Sequence, residues 1–184
     1  MACDLTLGRI EPCKDSIGGI QAVYFINYSG LGTVTYDTGD TDSITDLGTG
    51  VTAYKYELKS DENTYEEAIN SSRENGTTFF EQTLNMSLKG LNAADQKEMR
   101  LLSYGRPHVV IHTRNGEAFL AGLAQGCEVS GGSTTQVGGA YGDKVGYMLN
   151  LTGREAKPAN WLDGATSANP FAGLANAPTI VSGT

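Results

Sequence analysis

The clearest pattern along the chain is an alternation of apolar and polar residues between Thr77 and Lys89. Side chains of a strand point alternately to its two faces, so this period of two predicts a strand with one buried face. The apolar positions of the pattern are Phe80, Leu84, Met86 and Leu88. Further segments rich in β-branched or aromatic residues predict strands at 19–28, 34–36, 52–59, 127–135 and 145–152. Residues 63–71 suit either a helical stripe or a strand, and the flanking strands favour the strand.

One helix and one hairpin are also indicated. Asn92 is a suitable N-cap, and Asp95 can accept hydrogen bonds from the free backbone N–H groups of the first turn. Gly105 is predicted to end the helix in the left-handed conformation. The segment 108–123 is predicted to be a hairpin whose Asn115-Gly116 pair forms a type I′ turn.

These elements predict a mainly β chain, with one domain between two arms. Residues 1–18 form the N-terminal arm, in which Leu5, Leu7 and Ile10 are able to dock. Residues 19–155 form the β domain, in which 37–50 is predicted to be a long loop or the tip of a long hairpin. Residues 156–184 form an extended C-terminal arm, because isolated apolar residues spread among Pro, Gly, Ala and Asn cannot bury a core of their own. Its anchors, in grooves of the same or another subunit, are predicted to be Trp161, Phe171 and Leu174.

The composition of the chain disfavours some classes of function. The 184 residues carry 13 Lys and Arg against 21 Asp and Glu, a formal charge of −8. This balance disfavours tight binding to nucleic acid or to anionic membranes, both of which need cations. No apolar run of membrane-spanning length and no secretory leader is apparent, and an odd set of three cysteines is no disulfide framework. We therefore expect free thiols in a reducing cytoplasm.

The sequence contains few residue patterns that indicate a metal site or a catalytic site. His108 and His112 would lie roughly 13 Å apart on a strand, too far to share a metal ion. The acidic run Asp37, Asp40, Asp42 and Asp46 suggests calcium, but Ile44 stands where a further oxygen ligand belongs, so a solvated or lumen-facing loop is favoured. Cys127 and several serines form no recognisable catalytic motif. The sequence therefore predicts no catalytic residue, no metal and no cofactor.

Several segments together resemble a known family. They are Tyr56–Leu58, Asn70–Gln82, Leu102–His108, Gly146–Gly153 and Pro158–Asn160, within a span from about Tyr54 to Leu162. This span resembles virion structural proteins of tailed phages infecting Bacteroidetes, crAss-like phages among them, specifically tail-tube-like or tail ring proteins. The resemblance rests on framework residues and not on a functional signature.

The resemblance implies an antiparallel β-sandwich or half-barrel with one flanking helix, 92–102, packed outside the sheet through Met99 and Leu102. It implies copies joined in a DNA-conducting ring, six expected and twelve as the alternative. Asp37, Asp40, Asp42 and Asp46 would line the lumen or form an inter-ring loop, repelling DNA so that it passes without specific binding.

The expected location is the virion tail, after assembly in the host cytoplasm and beside other tail or neck proteins. Two alternatives remain open. A neck or portal-associated ring protein would share the fold, whereas a cytoplasmic β-sandwich module would hold a small ligand or carbohydrate.

Overall fold

The computed structural model describes Leu5 and residues 7–183. The described chain is mainly β with one helix, which confirms the predicted fold class. The strands are β1 Ile20–Ile26, β2 Thr35–Tyr36, β3 Ser43–Asp46, β4 Thr52–Glu57, β5 Thr64–Ser72, β6 Thr77–Lys89, β7 His108–Thr113, β8 Ala118–Ala121, β9 Cys127–Val129, β10 Thr134–Val137, β11 Val145–Glu155, β12 Asn160–Leu162 and β13 Thr179–Ser182. The helix, α1, is Ala93–Tyr104.

The first sheet has eight strands in the order β13-β4-β1-β7-β8-β12-β3-β2 and curls into a half-barrel. Its central strands are buried on both faces, which explains the continuous apolar run of β1. One face, with Val23 and Ile111, packs toward the second sheet. The other face, with Tyr24 and Leu120, packs inside the curl against Phe171.

The second sheet is smaller and has one uncovered face. Its strand order is β10-β11-β6-β5, and β9 pairs with the part of β11 that lies beyond β10. Strands β6 and β11 pair from Lys89 opposite Gly146 to Phe80 opposite Glu155. The predicted alternation in β6 is confirmed, because Leu84 and Met86 lie in the core between the sheets.

Helix α1 closes one side of this core. Met99 belongs to the buried cluster and Leu102 packs against it, together with Tyr147 of β11. The helix therefore covers the core-facing side of the second sheet and leaves the opposite side open. Asn92 is the N-cap as predicted, since its side-chain oxygen accepts a hydrogen bond from Asp95 N–H at 2.7 Å.

Two predicted left-handed features are wrong. Gly105 has φ −94°, because its N–H closes the last helical turn on Leu101 O and Leu102 O while the chain continues extended. At the β7–β8 turn only Gly116 has positive φ, and Thr113 N–H donates to Glu117 O across three intervening residues. The turn is therefore a three-residue loop with a glycine bulge and not a type I′ turn.

The predicted loop over 37–50 is also too long. Residues 37–42 form the turn between β2 and β3, whereas Ser43–Asp46 is a strand of the first sheet. Ile44 and Leu47 are fully buried inside the curl. A strand this short, paired in parallel with β12, is too brief to show a period along the sequence.

The C-terminal segment folds onto its own chain. Strand β12 lies between β8 and β3, and β13 pairs in parallel with β4. Phe171 and Leu174 are buried inside the curl. Trp161 is 48% exposed and touches Phe119 edge-on at 5.6 Å between ring centroids, so it anchors the segment less.

The N-terminal segment has no regular secondary structure in its described residues. Residues 7–18 form neither helix nor strand, and Leu5, Leu7 and Ile10 are exposed. Cys3, one of the three cysteines, lies outside the described residues. Cys13 is exposed and Cys127 is buried, both as free thiols.

We predict that Phe171→Ala lowers the free energy of unfolding by about 3–5 kcal/mol, because it empties the space beside Tyr24, whose ring lies 5.2 Å away. Trp161→Ala is the control from the same segment and should cost about 1–2 kcal/mol, since that side chain is half exposed. Urea denaturation measures both. Equal costs would contradict an integral role for the C-terminal segment.

Candidate assembly surface

The outer face of the second sheet is a broad polar surface. Strand register brings to it Thr83 and Asn85 of β6, opposite Thr152 and Asn150 of β11 and beside Glu66 of β5. The first sheet and α1 both pack on the other face, so this side has no cover within the described chain. Small uncharged side chains dominate it.

Few charges interrupt this face, and cations are scarce. Strand register places the carboxylates of Glu66, Glu81 and Glu128 on it. The guanidinium of Arg154 donates to Glu81 Oε1 at 2.9 and 3.0 Å, so its charge is largely matched. Lys89 stands at the end of β6. The face therefore offers little to bind a phosphate backbone.

Two hairpins project from this sheet at opposite ends. The β5–β6 turn lies beyond the pair Phe80–Glu155, and the β10–β11 turn lies beyond the pair Lys89–Gly146. Both hairpins expose apolar side chains. Ile69 is 69% exposed on the first, and Val137 is 73% exposed on the second beside a fully exposed Tyr141. Val137 and Tyr141 together give the second hairpin exposed apolar surface, which favours a contact there.

The side edges of the same sheet are open as well. Within the described residues, the nine residues of β5 pair with β6 alone, and β10 pairs with β11 alone. Each edge presents a row of backbone N–H and C=O groups able to pair with another strand. The sheet thus ends on both sides in strands that can accept a neighbour.

Two of the four predicted acidic residues, Asp37 and Asp40, stabilise the turn between β2 and β3. Asp37 Oδ1 accepts from Gly39 N–H at 2.6 Å, and Asp40 Oδ1 accepts from Asp42 N–H at 3.0 Å. Asp46 holds the C-terminal segment, accepting from the backbone and the side-chain amide of Asn176, each at 2.7 Å. Across Leu5 and residues 7–183, no three His, Cys, Asp or Glu side chains gather to hold a metal ion.

A buried polar network lies between the sheets near Gly122. Gln82 Oε1 accepts from Gly122 N–H at 2.8 Å, and Gln82 Nε2 donates to Glu67 Oε2 at 3.1 Å. The same Glu67 oxygen accepts from Ala159 N–H at 2.8 Å, which ties β5 to the chain entering β12. Sequence reasoning missed this network. The one available signal is the polar Gln82 among the apolar positions of β6.

The two histidines lie on β7, as predicted, and each contacts a different segment. His108 Nε2 accepts from Ser29 N–H at 3.2 Å, so the neutral ring carries its proton on Nδ1 and donates to Gly122 O at 2.7 Å. His112 Nε2 lies 2.9 Å from Thr166 O. Burial lowers the pKa of both rings, which favours their neutral forms.

Cys127 sits in the same buried region without the features of a nucleophile. Burial, and secondarily the charge of Glu155, raises the pKa of its thiol to about 12. A thiol with this pKa is protonated at neutral pH and reacts slowly. Glu155 Oε1 instead accepts from Ala124 and Gln125 N–H at 2.9 and 2.7 Å. These polar groups hold the turn at 122–126 in place.

A groove of about 670 Å³ opens between the two sheets. Strands β4 and β13 of the first sheet form one wall, and strand β6 together with helix α1 forms the other. Its apolar walls include Tyr54, Tyr56, Leu88, Met99 and Val181. Charged residues of both signs line the rest: Lys55, Lys59, Lys89, Glu57, Asp95 and Glu98. Sequence reasoning missed the groove because it did not predict β13, which forms one of its borders.

No family model, curated protein or solved structure matches the chain. The function of this surface is therefore inferred from its geometry. Within the described residues, no helix is long and apolar enough to cross a membrane.

We predict that stability falls as the pH drops below about 6.5, the ordinary pKa of histidine in an unfolded chain. The folded pKa of His108 is lowered, so the unfolded state takes up the proton first and stability is complete only above that pH. Protonation of Nε2 also removes the acceptor for Ser29 N–H.

The test compares His108→Asn, whose amide can still donate to Gly122 O, with the unchanged chain. Urea denaturation at pH 7.5 and pH 5 should show a smaller loss of stability in the variant. An identical loss in both proteins would show that His108 does not contribute to this pH dependence.

Proposed function

We propose that this protein is a non-catalytic virion component, a subunit of a phage tail tube or tail ring. The observation that carries the proposal is the second sheet, with its two open edges, its two projecting hairpins and its uncovered polar face. In a monomer the open edges of such a sheet would favour aggregation, because their unpaired backbone groups can bind strands of other chains. A defined assembly that pairs these edges removes that hazard.

The edges favour a head-to-tail arrangement of copies. Strands β5 and β10 lie on opposite sides of the sheet and differ in sequence, so each is suited to meet the other edge of a neighbour. Repeating such a contact around an axis closes a ring. The second sheets of all copies would then form one continuous barrel, with hairpins projecting from both of its ends.

The uncovered face of this sheet is suited to line the channel. This face has small polar side chains, three carboxylates and few cations. It therefore has few positive charges to neutralise the phosphates of a duplex, so DNA would slide past it and not bind. On this arrangement Asp37, Asp40, Asp42 and Asp46 serve as inter-ring contacts better than as lumen residues. Asp37, Asp40 and Asp42 lie in the turn at the β2 edge of the other sheet, and Asp46 lies at the end of β3.

Partners and location follow from the same proposal. Copies of the chain form the ring, with six expected and twelve as the alternative, and neighbouring tail or neck proteins contact its ends. The protein would be assembled in the host cytoplasm and act in the virion tail during genome ejection. A neck ring that stacks only once is the alternative within this class.

A second class of function has one observation in its favour. The inter-sheet groove has a volume typical of small-ligand sites and presents two tyrosines, so a cytoplasmic ligand- or carbohydrate-binding module could use it. Such a module would be a stable monomer whose melting temperature rises with its ligand.

We predict that the purified protein forms rings or stacked rings in negative-stain images at high concentration. Val137→Lys, which puts a charge on the β10 edge, should shift the onset of assembly to at least about ten-fold higher concentration. Leu101→Lys is the matched control on the exposed side of α1 and should assemble normally. A monomer at every concentration, or a Val137→Lys protein that assembles normally, would contradict the proposed edge contact.

We also predict where added cations trap DNA. In assembled particles, Glu66→Lys with Glu128→Lys should retain a short duplex in a salt-dependent manner, because the cations would face the channel. Asp37→Lys with Asp40→Lys makes the same change in net charge and should retain far less. Co-sedimentation with labelled duplex measures both. Equal retention by the two variants would contradict the assignment of the channel face.

A further inference from the structure

A second groove, of about 730 Å³, lies between helix α1 and strands β9, β10 and β11, and we name it the α1–β10 groove. Its charge is of one sign. Lys97 and Arg100 are the charged residues that line it, and within the described part of the chain neither forms an ion pair. The carboxylates of the same helix, Asp95 and Glu98, line the inter-sheet groove instead.

Hydroxyl groups line much of the remaining wall of the α1–β10 groove. Ser103 comes from the helix, and Ser133, Thr134 and Thr135 come from the entry and the start of β10. A hydroxyl can donate a hydrogen bond to an oxygen atom, and Lys and Arg donate charge-assisted bonds to carboxylates. The groove is therefore suited to hold an acidic segment.

The turn over residues 37–42, at the β2 edge of the first sheet, has the complementary charge. It holds Asp37, Asp40 and Asp42 but no Lys or Arg, and all of its residues are exposed. None of its carboxylates forms an ion pair within the described chain. Asp37 and Asp40 each use Oδ1 for a bond inside the turn, which leaves Oδ2 available to a partner.

The groove and this turn lie toward opposite ends of the molecule. Helix α1 begins soon after β6 ends at Lys89, so the groove starts at the end that carries the β10–β11 turn. The 37–42 turn lies beside the start of β12, since Trp161 N–H donates to Asp42 O at 3.0 Å. Strand β12 starts soon after β11 ends at Glu155, which is the end that carries the β5–β6 turn.

The two features also lie on opposite sides of the fold. Strand β10, which borders the groove, is one edge of the second sheet. Strand β12 lies under the other edge, because Ala159 N–H, at its entry, donates to Glu67 of β5 at 2.8 Å. Strands β3 and β2 follow β12 on that side. A copy's own turn is therefore remote from its own groove.

We propose that the 37–42 turn of one copy binds in the α1–β10 groove of a copy in the adjacent ring. The inference rests on the proposed function and names the surface that receives its inter-ring contact. When rings stack in a single orientation, the end with the β5–β6 turn meets the end with the β10–β11 turn of the next ring. Three carboxylates then meet two cations that lack ion-pair partners in the described chain.

The acidic turn suits the groove better than the other segments at its end of the molecule. The β5–β6 turn carries Arg73 beside Glu74, so these charges cancel. The connection from β11 to β12 carries Lys157, which the cations of the groove would repel. Residues 37–42 alone among these three segments have a net negative charge.

A charge exchange tests the contact itself. Lys97→Glu with Arg100→Glu, or Asp40→Lys with Asp42→Lys, should raise the concentration at which rings stack about ten-fold, because each pair places like charges together. Single rings should still form. The protein carrying all four changes should recover most of the stacking. Sedimentation velocity and negative-stain images measure the ratio of stacked to single rings.

The matched control is Lys14→Glu with Lys59→Glu, which changes the net charge as much as the groove pair and lies outside the α1–β10 groove. It should leave stacking nearly unchanged. A control that weakens stacking as much as the groove pair would overturn the proposed contact. So would a four-fold variant that fails to recover.

Zero-length cross-linking tests the identity of the occupant. Unlabelled and ¹⁵N-labelled full-length proteins are mixed as dilute monomers, assembled and treated with a carbodiimide, which joins a carboxylate directly to an amine. We expect mixed-isotope links between residues 37–42 and Lys97 in stacked rings and not in single rings. Links within one isotope only, or stacked rings without a link to Lys97, would overturn the proposal.

These experiments separate this inference from the proposed function. Rings that never stack, or whose stacking ignores the groove variants, overturn the groove contact and leave the ring intact. A protein that never associates overturns both.

Discussion

The whole structure depends on the burial of both faces of the first sheet. Strand β1 shows this most directly, since Val23 is buried toward the second sheet and Tyr24 is buried inside the curl. The central strands of the first sheet therefore supply stability and are covered on both faces, whereas its edge strands β2 and β13 are exposed. The outer face, edges and hairpins of the second sheet remain, together with the groove between the sheets. Our proposal places the contacts within a ring at the edges of the second sheet and the contacts between rings at the turn beside β2.

The chemistry inside the core is consistent with a structural role. Burial favours a protonated Cys127 and neutral His108 and His112. Gln82 and Glu155 use their oxygens to satisfy backbone N–H groups of the turn at 122–126. His108, Gln82 and Glu155 thus bond to backbone groups around this turn, whereas His112 Nδ1 has no hydrogen-bond partner within the described residues. The surfaces outside this network are the ones that support our proposal of self-association.

Sequence patterns predicted the elements whose periods are long and regular. The alternation of β6, the cap at Asn92 and the apolar run of β1 each act within one segment, so local residues were sufficient. Strand β3 and the C-terminal strands were missed because their stability comes from partners far along the chain, such as β12 for Ile44 and β4 for Ile180. The groove was missed for the same reason, since β13 is one of its borders. The Asp37–Asp46 run was visible, but its role in turns depends on backbone geometry and on Asn176.

The central claim is that the edges of the second sheet meet in an assembly of copies. Amide hydrogen exchange, compared between dilute and concentrated protein, tests this most directly. The account predicts that the amides of β5 and β10 gain protection on assembly, while those of β1 and β7 are protected throughout. Edge amides that exchange equally fast in both samples, with a monomer as the sole species, would contradict it.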